Sequence, residues 1–248
     1  MSYSVFARYY DRLTENADYP TRADYLLRLM ERHHHEPGET LDLACGTGTL
    51  TLLLKERGVN IFGADASVEM LSEAADKAGE GTLFICQPME KLCLPAPVDT
   101  CLCTLDSLNH ITSRERLIQV FCRIFESLKP DGLLIFDVNT IYKHREILGD
   151  HCYLYDFDEV FCAWQNNYQP RTHKVIITLD FFEPQGKGLY RRSSEQFSER
   201  AYSHEEIDSF LCAAGLEIES IYADLTFEPP QADTDREIYV VRKMHHEP

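Results

Sequence analysis

The stretch LDLACGTGTLTLLL, residues 41–54, places two glycines where an apolar strand pattern gives way to a helical one. Glycines at such a point let the backbone approach a ligand, and they expose amide N–H groups at the start of the helix. Gly58 closes the predicted helix, as a glycine at the C′ position commonly does. A glycine turn at the start of a helix is found in nucleotide-binding sites. A flexible loop that binds no ligand has the same local pattern. The surrounding residues therefore have to distinguish a nucleotide-binding turn from such a loop.

Strand and helix patterns alternate on both sides of this turn, from residue 40 to residue 138. The short apolar strands are TLDLA, VNIFGAD, TLFICQ, VDTCLCTL and LLIFDV. The helices between them each carry one apolar stripe. Apolar strands separated by amphipathic helices predict a doubly wound, mostly parallel α/β sheet with helices on both faces. Ligands bind such a sheet at the carboxyl ends of its strands.

Capping residues predict where the helices begin. A first helix carries Val5, Phe6, Tyr9, Tyr10 and Leu13 at helical spacing. Later helices are predicted to begin at Thr21 with Asp24, at Ser67, at Thr112 with Glu115, and at Ser203 with Glu206.

After Asn139 the alternation ends. YLYDF, EVFCAWQNNY, HKVIITLDFFEP and GLYRRSSEQFSERAY follow one another as strands with short polar turns. Strands this close in the chain pair antiparallel. Residues 150–200 are therefore expected to form an antiparallel insertion, and residues 1–149 and 201–248 the core. The last two strands, LEIESIYAD and EIYVVRK, are expected to pair at the edge of the core sheet.

Length, charge and residue composition limit the partners, location and metal that can be expected for this protein. The chain has 248 residues, a formal net charge of -17 and no apolar run long enough to span a bilayer. Such an acidic chain disfavours nucleic acid as a partner. No signal-peptide pattern is present, so a cytoplasmic location without a membrane partner is expected. The nine cysteines lack metal-ligand spacing, so no metal is expected. A monomer and a homodimer both stay open.

The glycine spacing separates the possible nucleotide sites. A dinucleotide site requires G-x-G-x-x-G, whereas Ala44, Gly46 and Gly48 follow the order A-x-G-x-G. No Walker lysine follows, so a P-loop is excluded. Asp65 closes the second strand about 20 residues after the turn, where an acid is expected to meet ribose hydroxyls. The turn together with Asp65 therefore favours a nucleoside cofactor.

The motif order resembles that of a class I S-adenosylmethionine-dependent methyltransferase. The resemblance rests on LDLACGTG, GADASVEML, VDTCLCTLDSLNHI and LKPDGLLIFDVNT, and it covers roughly residues 40–140. FARYYDRL and the antiparallel insertion resemble a bacterial subgroup that acts on small molecules and has an inserted cap. The resemblance implies a Rossmann-like, mostly parallel seven-stranded sheet with an antiparallel β cap, and S-adenosylmethionine as cofactor.

The resemblance also implies residue roles in cofactor binding. Asp42, Ala44, Gly46 and Gly48 would shape the site of the methionine part. Asp65 would take the ribose hydroxyls, beside Ala66 and Met70. Met89 and Glu90 would flank the adenine, Leu105 and Asp106 would lie beside the sulfonium, and Tyr9 or Tyr10 would close over the cofactor. Two positions depart from the family pattern: Ala44 replaces its first glycine, and Pro88 stands where an acid often reads the adenine.

Methyl transfer needs a base only when the nucleophile arrives protonated. The candidate catalytic residues are His110, Asp106 and Tyr10, with Glu195 as a further candidate base. The cap would contact the acceptor through Trp164, Arg192, Glu195 and Arg200, with Tyr168 and Tyr202 as further candidates. Asp106 and His110 are equally explained by hydrogen bonds within a turn. The candidate methionines and tyrosines are equally explained by packing in the core.

The resemblance therefore implies methyl transfer to a nitrogen or oxygen atom of a small-molecule acceptor. Methylation of tRNA or of protein is an alternative function, and the acidic charge of the chain disfavours tRNA. A non-catalytic module that binds S-adenosylmethionine is a further alternative. An oxidoreductase would require binding of NAD in place of S-adenosylmethionine.

Overall fold

The computed structural model of the protein describes residues 4–243. Its helices are α1 (Ser4–Leu13), α2 (Tyr19–Arg32), α3 (Thr49–Glu56), α4 (Val68–Ala78), α5 (Arg114–Ser127) and α6 (His204–Ala214). Its strands are β1 (Glu39–Leu43), β2 (Asn60–Asp65), β3 (Phe84–Cys86), β4 (Val98–Cys103), β5 (Leu128–Asn139), β6 (Cys152–Asp156), β7 (Phe161–Gln169), β8 (Lys174–Gly186), β9 (Leu189–Arg200), β10 (Leu216–Ala223) and β11 (Arg236–Lys243).

Seven strands form one sheet in the order β10-β11-β5-β4-β1-β2-β3. Strands β1 to β5 pair in parallel. Strand β11 pairs antiparallel with β5 on one side and with β10 on the other. The predicted doubly wound, mostly parallel sheet and the pairing of its last two strands are therefore confirmed.

Helices cover both faces of this sheet. Neighbouring residues of β5 point to opposite faces, as a strand requires. Leu134 and Phe136 pack with the cluster that contains Phe121 of α5 and Phe210 of α6. Leu133 and Ile135 pack with the cluster formed by α2 and α3. Burial on both faces explains why β4 and β5 are almost continuously apolar.

The four remaining strands form a separate antiparallel sheet in the order β6-β7-β8-β9. Alternate residues of β8 are buried: Val175, Ile177, Leu179 and Phe181. They pack with Phe6 of α1 in one cluster. The antiparallel insertion is therefore confirmed, and the N-terminal helix lies between it and the core.

Two predicted helix starts are wrong. Helix α2 begins at Tyr19, because Asp18 accepts the N–H of Thr21 and Pro20 fits the first helical turn. Asp24 instead pairs with Arg57. Helix α5 is capped by Ser113 rather than Thr112.

The caps at Ser67 and Ser203 are confirmed, and Ser203 forms a capping box with Glu206. A π-helical turn at Lys143–Leu148 was not anticipated; it connects β5 to the cap sheet. Within residues 4–243, no helix has the length and apolar content that crossing a membrane requires.

Candidate active site

The glycine turn between β1 and α3 has the left-handed backbone that its glycines allow. Gly46 has φ +54°, and a Cβ there would meet only the ring of Tyr10, at 4.0 Å. The backbone at Gly46 is thus open on the side of a neighbouring cavity. Gly48 also has a positive φ, but a Cβ there would lie 2.9 Å from the Phe84 ring. Gly48 is therefore needed for packing.

Asp65 fastens this turn to the end of β2. One carboxylate oxygen accepts the N–H of Gly46 at 2.9 Å, and the other accepts the N–H of Ser67 at 2.8 Å. Burial raises the pKa of Asp65, and these two backbone hydrogen bonds oppose part of the rise. The carboxylate therefore faces the site with its geometry fixed by the backbone.

Asp42 lies beneath the turn and is almost fully buried. Its carboxyl accepts the hydroxyl of Thr51 at 2.5 Å. Burial raises the pKa of Asp42 to about 7, and the charge of Asp65 adds to the rise, while the bond from Thr51 opposes it. Asp42 supports the turn from below and lines neither of the two cavities described next.

The first cavity, here called the turn cavity, has a volume of about 300 Å³ and lies beside the glycine turn. Most of the residues that the sequence assigned to the cofactor line it. They are Tyr10, Ala44, Gly46, Asp65, Ala66, Met70, Met89, Glu90 and Leu105. Pro88 is part of the same wall, and the carboxylate of Glu90 pairs with Arg116 of α5.

Tyr9 does not face either cavity. Its hydroxyl donates to Glu183 at 3.0 Å and its ring stacks on Phe181, both in the cap sheet. Tyr10 follows at the next helical position and lines both cavities. Of the two tyrosines considered for closure over the cofactor, the structure therefore places Tyr10 at the site and Tyr9 against the cap.

The second cavity, here called the cap cavity, has a volume of about 320 Å³ and lies between the core and the cap sheet. It is lined by all three candidate catalytic residues: Tyr10, Asp106 and His110. The two cavities share four wall residues: Phe6, Tyr10, Leu105 and His110. These four residues form the junction of the two cavities.

Asp137, at the end of β5, fixes the backbone at this junction. Its carboxylate accepts the N–H groups of Leu105 at 2.8 Å and Asp106 at 2.7 Å. Both of those residues have positive φ, +56° and +53°, which is costly for side chains other than glycine. Arg22 and Arg236 pair with the same buried carboxylate. This charge cluster holds the strained turn in place.

Asp106 is bound within the same cluster. Arg236 donates to its carboxylate at 2.6 Å. Burial alone would raise the pKa of Asp106, but Arg236, Lys143 and His110 outweigh burial and lower it to about 2. Asp106 is therefore an anion at any physiological pH.

The group around His110 includes residues that the sequence reading missed. Glu199 of β9 lines the cap cavity and is buried, with its Oε1 3.9 Å from Nε2 of His110. Lys143 and Arg236 line the same cavity. The alternation of side chains along β9 is a sequence signal for Glu199. It lies two residues after Phe197 and so shares the buried face of the strand.

Three of the four candidate acceptor contacts lie elsewhere. Trp164 lines the cap cavity. Arg192 is largely exposed and pairs with Asp180. Glu195 accepts the N–H of Val5 at the start of α1. Arg200 pairs with Glu206.

The two further tyrosines are engaged in other contacts. The Tyr168 hydroxyl lies 2.9 Å from the ring of His173, and Tyr202 donates to the Ile111 carbonyl at 2.5 Å.

Asp106, His110 and Glu199 bring one potential ligand atom each within 4.8 Å of one another. Arg236 already occupies the carboxylate of Asp106, and Lys143 adds a second cation to the same wall. We therefore describe the three residues as part of a charge network and not as a metal site.

Comparison with known proteins identifies the family. Residues 40–132 match the family described as Methyltransferase domain. The chain is 32% identical over 246 residues to "Putative methyltransferase YqeM" of Bacillus subtilis (strain 168), covering 98% of both chains. It is also similar to the crystal structure of an S-adenosylmethionine-dependent methyltransferase from Clostridium acetobutylicum ATCC 824. That similarity has a TM-score of 0.85 and 34% identity, over 97% of this chain and 98% of that chain.

The chain is a class I S-adenosylmethionine-dependent methyltransferase. The seven-stranded sheet and the antiparallel insertion agree with this family. The methyltransferase uses S-adenosylmethionine as its cofactor, as the family resemblance implied. The open backbone at Gly46, the fixed carboxylate of Asp65 and the adjoining turn cavity fit such a nucleoside cofactor.

Proposed function

We propose that the methyltransferase binds S-adenosylmethionine in the turn cavity and methylates a small-molecule acceptor in the cap cavity. The shared junction carries this proposal. Two cavities of similar volume meet at Phe6, Tyr10, Leu105 and His110. A group that passes between ligands in the two cavities has to cross that junction.

The turn cavity would hold the cofactor largely through backbone and one carboxylate. Each oxygen of Asp65 accepts one backbone N–H and keeps a lone pair for a ribose hydroxyl. Ala44 and Gly46 would border the methionine part, and Met89 the adenine. When bound, S-adenosylmethionine supplies a methyl group activated by its sulfonium, so the protein mainly contributes alignment and exclusion of water.

His110 is the proposed base for a nucleophile that arrives protonated. Asp106 is held by Arg236 and has a pKa of about 2, which makes it a poor proton acceptor at neutral pH. Burial raises the pKa of Tyr10 well above its ordinary value, so its hydroxyl stays protonated. Glu195 caps α1. An imidazole at the junction is the remaining candidate, and imidazoles accept protons near neutral pH.

The cap cavity favours an amine acceptor. Four acids line it, Asp106, Glu199, Asp224 and Asp235, against three cations, Arg22, Lys143 and Arg236. The rings of Phe6, Tyr10, Trp164 and Phe197 form much of the remaining wall. Acidic side chains together with aromatic faces suit an ammonium group. A hydroxyl acceptor is the second candidate, and residues 150–200 serve as the cap over either.

Transfer of label from methyl-labelled S-adenosylmethionine tests this function. The purified protein is given separate panels of small amines, small hydroxyl compounds, total tRNA and protein. We expect a product in the amine panel. In His110→Gln we expect turnover to fall by about 100-fold or more, with cofactor affinity unchanged.

Other outcomes would count against the proposal. Labelling confined to tRNA or protein would refute the small-molecule acceptor. Cofactor binding without turnover in any panel would favour a non-catalytic module.

A further inference from the structure

We propose that Glu199 is a positioning residue for His110 and that a buried imidazolium of His144 keeps Glu199 ionised. The inference rests on the proposed role of His110 as the base. It concerns three side chains from three elements: the turn after β4, the π-helical turn after β5, and strand β9.

The hydrogen bonds of His144 fix one of its two protons. The side chain is fully buried, and its Nδ1 lies 3.1 Å from the backbone carbonyl of His173. A carbonyl oxygen only accepts, so Nδ1 has to carry a hydrogen. The other ring nitrogen, Nε2, has no hydrogen-bond partner within residues 4–243 and lies 3.5 Å from Oε2 of Glu199.

This geometry is unfavourable for a neutral ring beside an ionised Glu199. With its single proton on Nδ1, a neutral His144 would direct the lone pair of Nε2 toward the carboxylate of Glu199. Both groups are buried, so water cannot relieve the repulsion. A second proton on Nε2 converts the contact into an ion pair between an imidazolium and a carboxylate. Each charge then compensates the other.

Apart from His110 and His144, no cation pairs with Glu199 within the described chain. Asn139 of β5 donates to Oε2 at 3.4 Å through its neutral amide. Lys143 faces the same space, and Glu199 acts to raise its pKa, although burial lowers that pKa overall. The neighbour of Glu199 in β8 is Val175, which is apolar. Arg200, next in β9, is turned toward Glu206. His144 is therefore the cation best placed to hold Glu199 ionised.

An ionised Glu199 selects the tautomer of His110. Its Oε1 lies 3.9 Å from Nε2 of His110, and a carboxylate there favours a hydrogen on that nitrogen. Nδ1 of His110 is then left as the proton acceptor. The same carboxylate stabilises the imidazolium that forms when His110 takes the proton, as an orienting acid does in other His-acid pairs.

Nitrogen NMR on protein labelled with ¹⁵N-histidine tests the protonation of His144 and the tautomer of His110, and it does not require the methyl acceptor. Protonated and lone-pair nitrogens of imidazole give distinct shifts and couplings. At pH 7.5 we expect the imidazole of His144 to have both nitrogens protonated, and we expect the signals of this ring to vanish in His144→Asn. In Glu199→Gln, which keeps the side-chain size, His144 should become neutral, and His110 should lose its preference for the Nε2–H form.

Glu183→Gln is the matched control, because it removes a partly buried acid of the cap that pairs with Arg8 and accepts a hydrogen bond from Tyr9. Its histidine signals should match those of the unchanged protein. A neutral His144 at pH 7.5, or an imidazolium that persists in Glu199→Gln, would overturn the proposal. None of these results depends on turnover, so they are separate from the test of the methyl acceptor.

Discussion

The carboxylate of Asp65 accepts the backbone N–H of Gly46 at 2.9 Å, and so the end of β2 holds the glycine turn that follows β1. Its other oxygen accepts the N–H of Ser67, which caps α4. One side chain thereby sets the position of two segments that line the turn cavity. Loss of this side chain should affect cofactor binding in two ways: through the proposed ribose contact and through the position of the turn.

We therefore expect Asp65→Ala to weaken S-adenosylmethionine binding at least about tenfold, as loss of charge-assisted hydrogen bonds implies. Calorimetric titration measures this affinity directly. Asp76→Ala, on the exposed face of α4, is the control and should bind as the unchanged protein does. Equal affinity in Asp65→Ala would refute the proposed ribose contact.

The spacing of Asp65 from the glycine turn is what made the turn cavity predictable from sequence. Both features lie at the carboxyl ends of neighbouring parallel strands, where the fold brings them together. Tyr9 and Tyr10 could not be separated in this way. Consecutive helical residues point about 100° apart, and only the packing of α1 between core and cap shows which of the two faces the cavities.

The cap was predicted as a sheet, but its inward-facing residues were not all identified. A shift of one residue moves every side chain of a strand to the other face. The sequence pattern predicts an acceptor contact at Arg200, whereas its neighbour Glu199 is the residue that lines the cavity. Arg192 lies on the far side of the cap, beside Asp180. The charge cluster around Asp137 joins residues from α2, β5 and β11, and no local spacing in the sequence reports such a distant set.

Helix α1 is fastened to the glycine turn by Asp11. One oxygen of Asp11 accepts the hydroxyls of Thr47 at 2.6 Å and Thr49 at 3.1 Å, and the other pairs with Lys77 of α4 at 2.7 Å. Since α1 carries Phe6 and Tyr10 into both cavity walls, Asp11→Ala should loosen that wall. The Thr47 side chain is buried and would lose its acceptor.

We expect Asp11→Ala to weaken S-adenosylmethionine binding by roughly three- to tenfold, mainly through faster dissociation. Stopped-flow displacement measures that rate. Glu31→Ala, which removes an exposed acid of α2, should leave the rate as it is. An unchanged dissociation rate in Asp11→Ala would show that α1 does not retain the cofactor.

Asp42 should make the stability of the fold depend on pH between about 4 and 7. Its pKa in the folded chain is about 7, against about 3.9 for a free aspartate. The folded state therefore binds the proton more tightly than the unfolded state does. The resulting stabilisation is complete below pH 4 and is lost as the pH rises through 7.

Asp42→Asn should remove this pH dependence, because an amide oxygen still accepts from Thr51 and carries no charge. Above pH 7 the variant is expected to be more stable than the unchanged protein, by at most about 4 kcal/mol. Urea unfolding at pH 5, 6, 7 and 8 gives the free energy of unfolding at each pH. Parallel curves for the two proteins would contradict the raised pKa of Asp42.

Replacement of Asp137 by asparagine should lower the free energy of unfolding, whereas the same replacement at Asp42 should raise it above pH 7. Asp137 is as buried as Asp42, but it compensates Arg22 and Arg236 and accepts two backbone N–H groups. In Asp137→Asn the two guanidinium groups lose a buried counter-charge. The amide can also accept through only one of its two terminal atoms, so one N–H of the strained Leu105–Asp106 turn loses its acceptor.

We expect Asp137→Asn to lose about 3–5 kcal/mol in the free energy of unfolding at pH 7.5. Urea titration measures this loss, and the exposed-site variant Asp208→Asn is the control. A loss below about 1 kcal/mol would show that the cluster does not hold the turn at the junction of the two cavities.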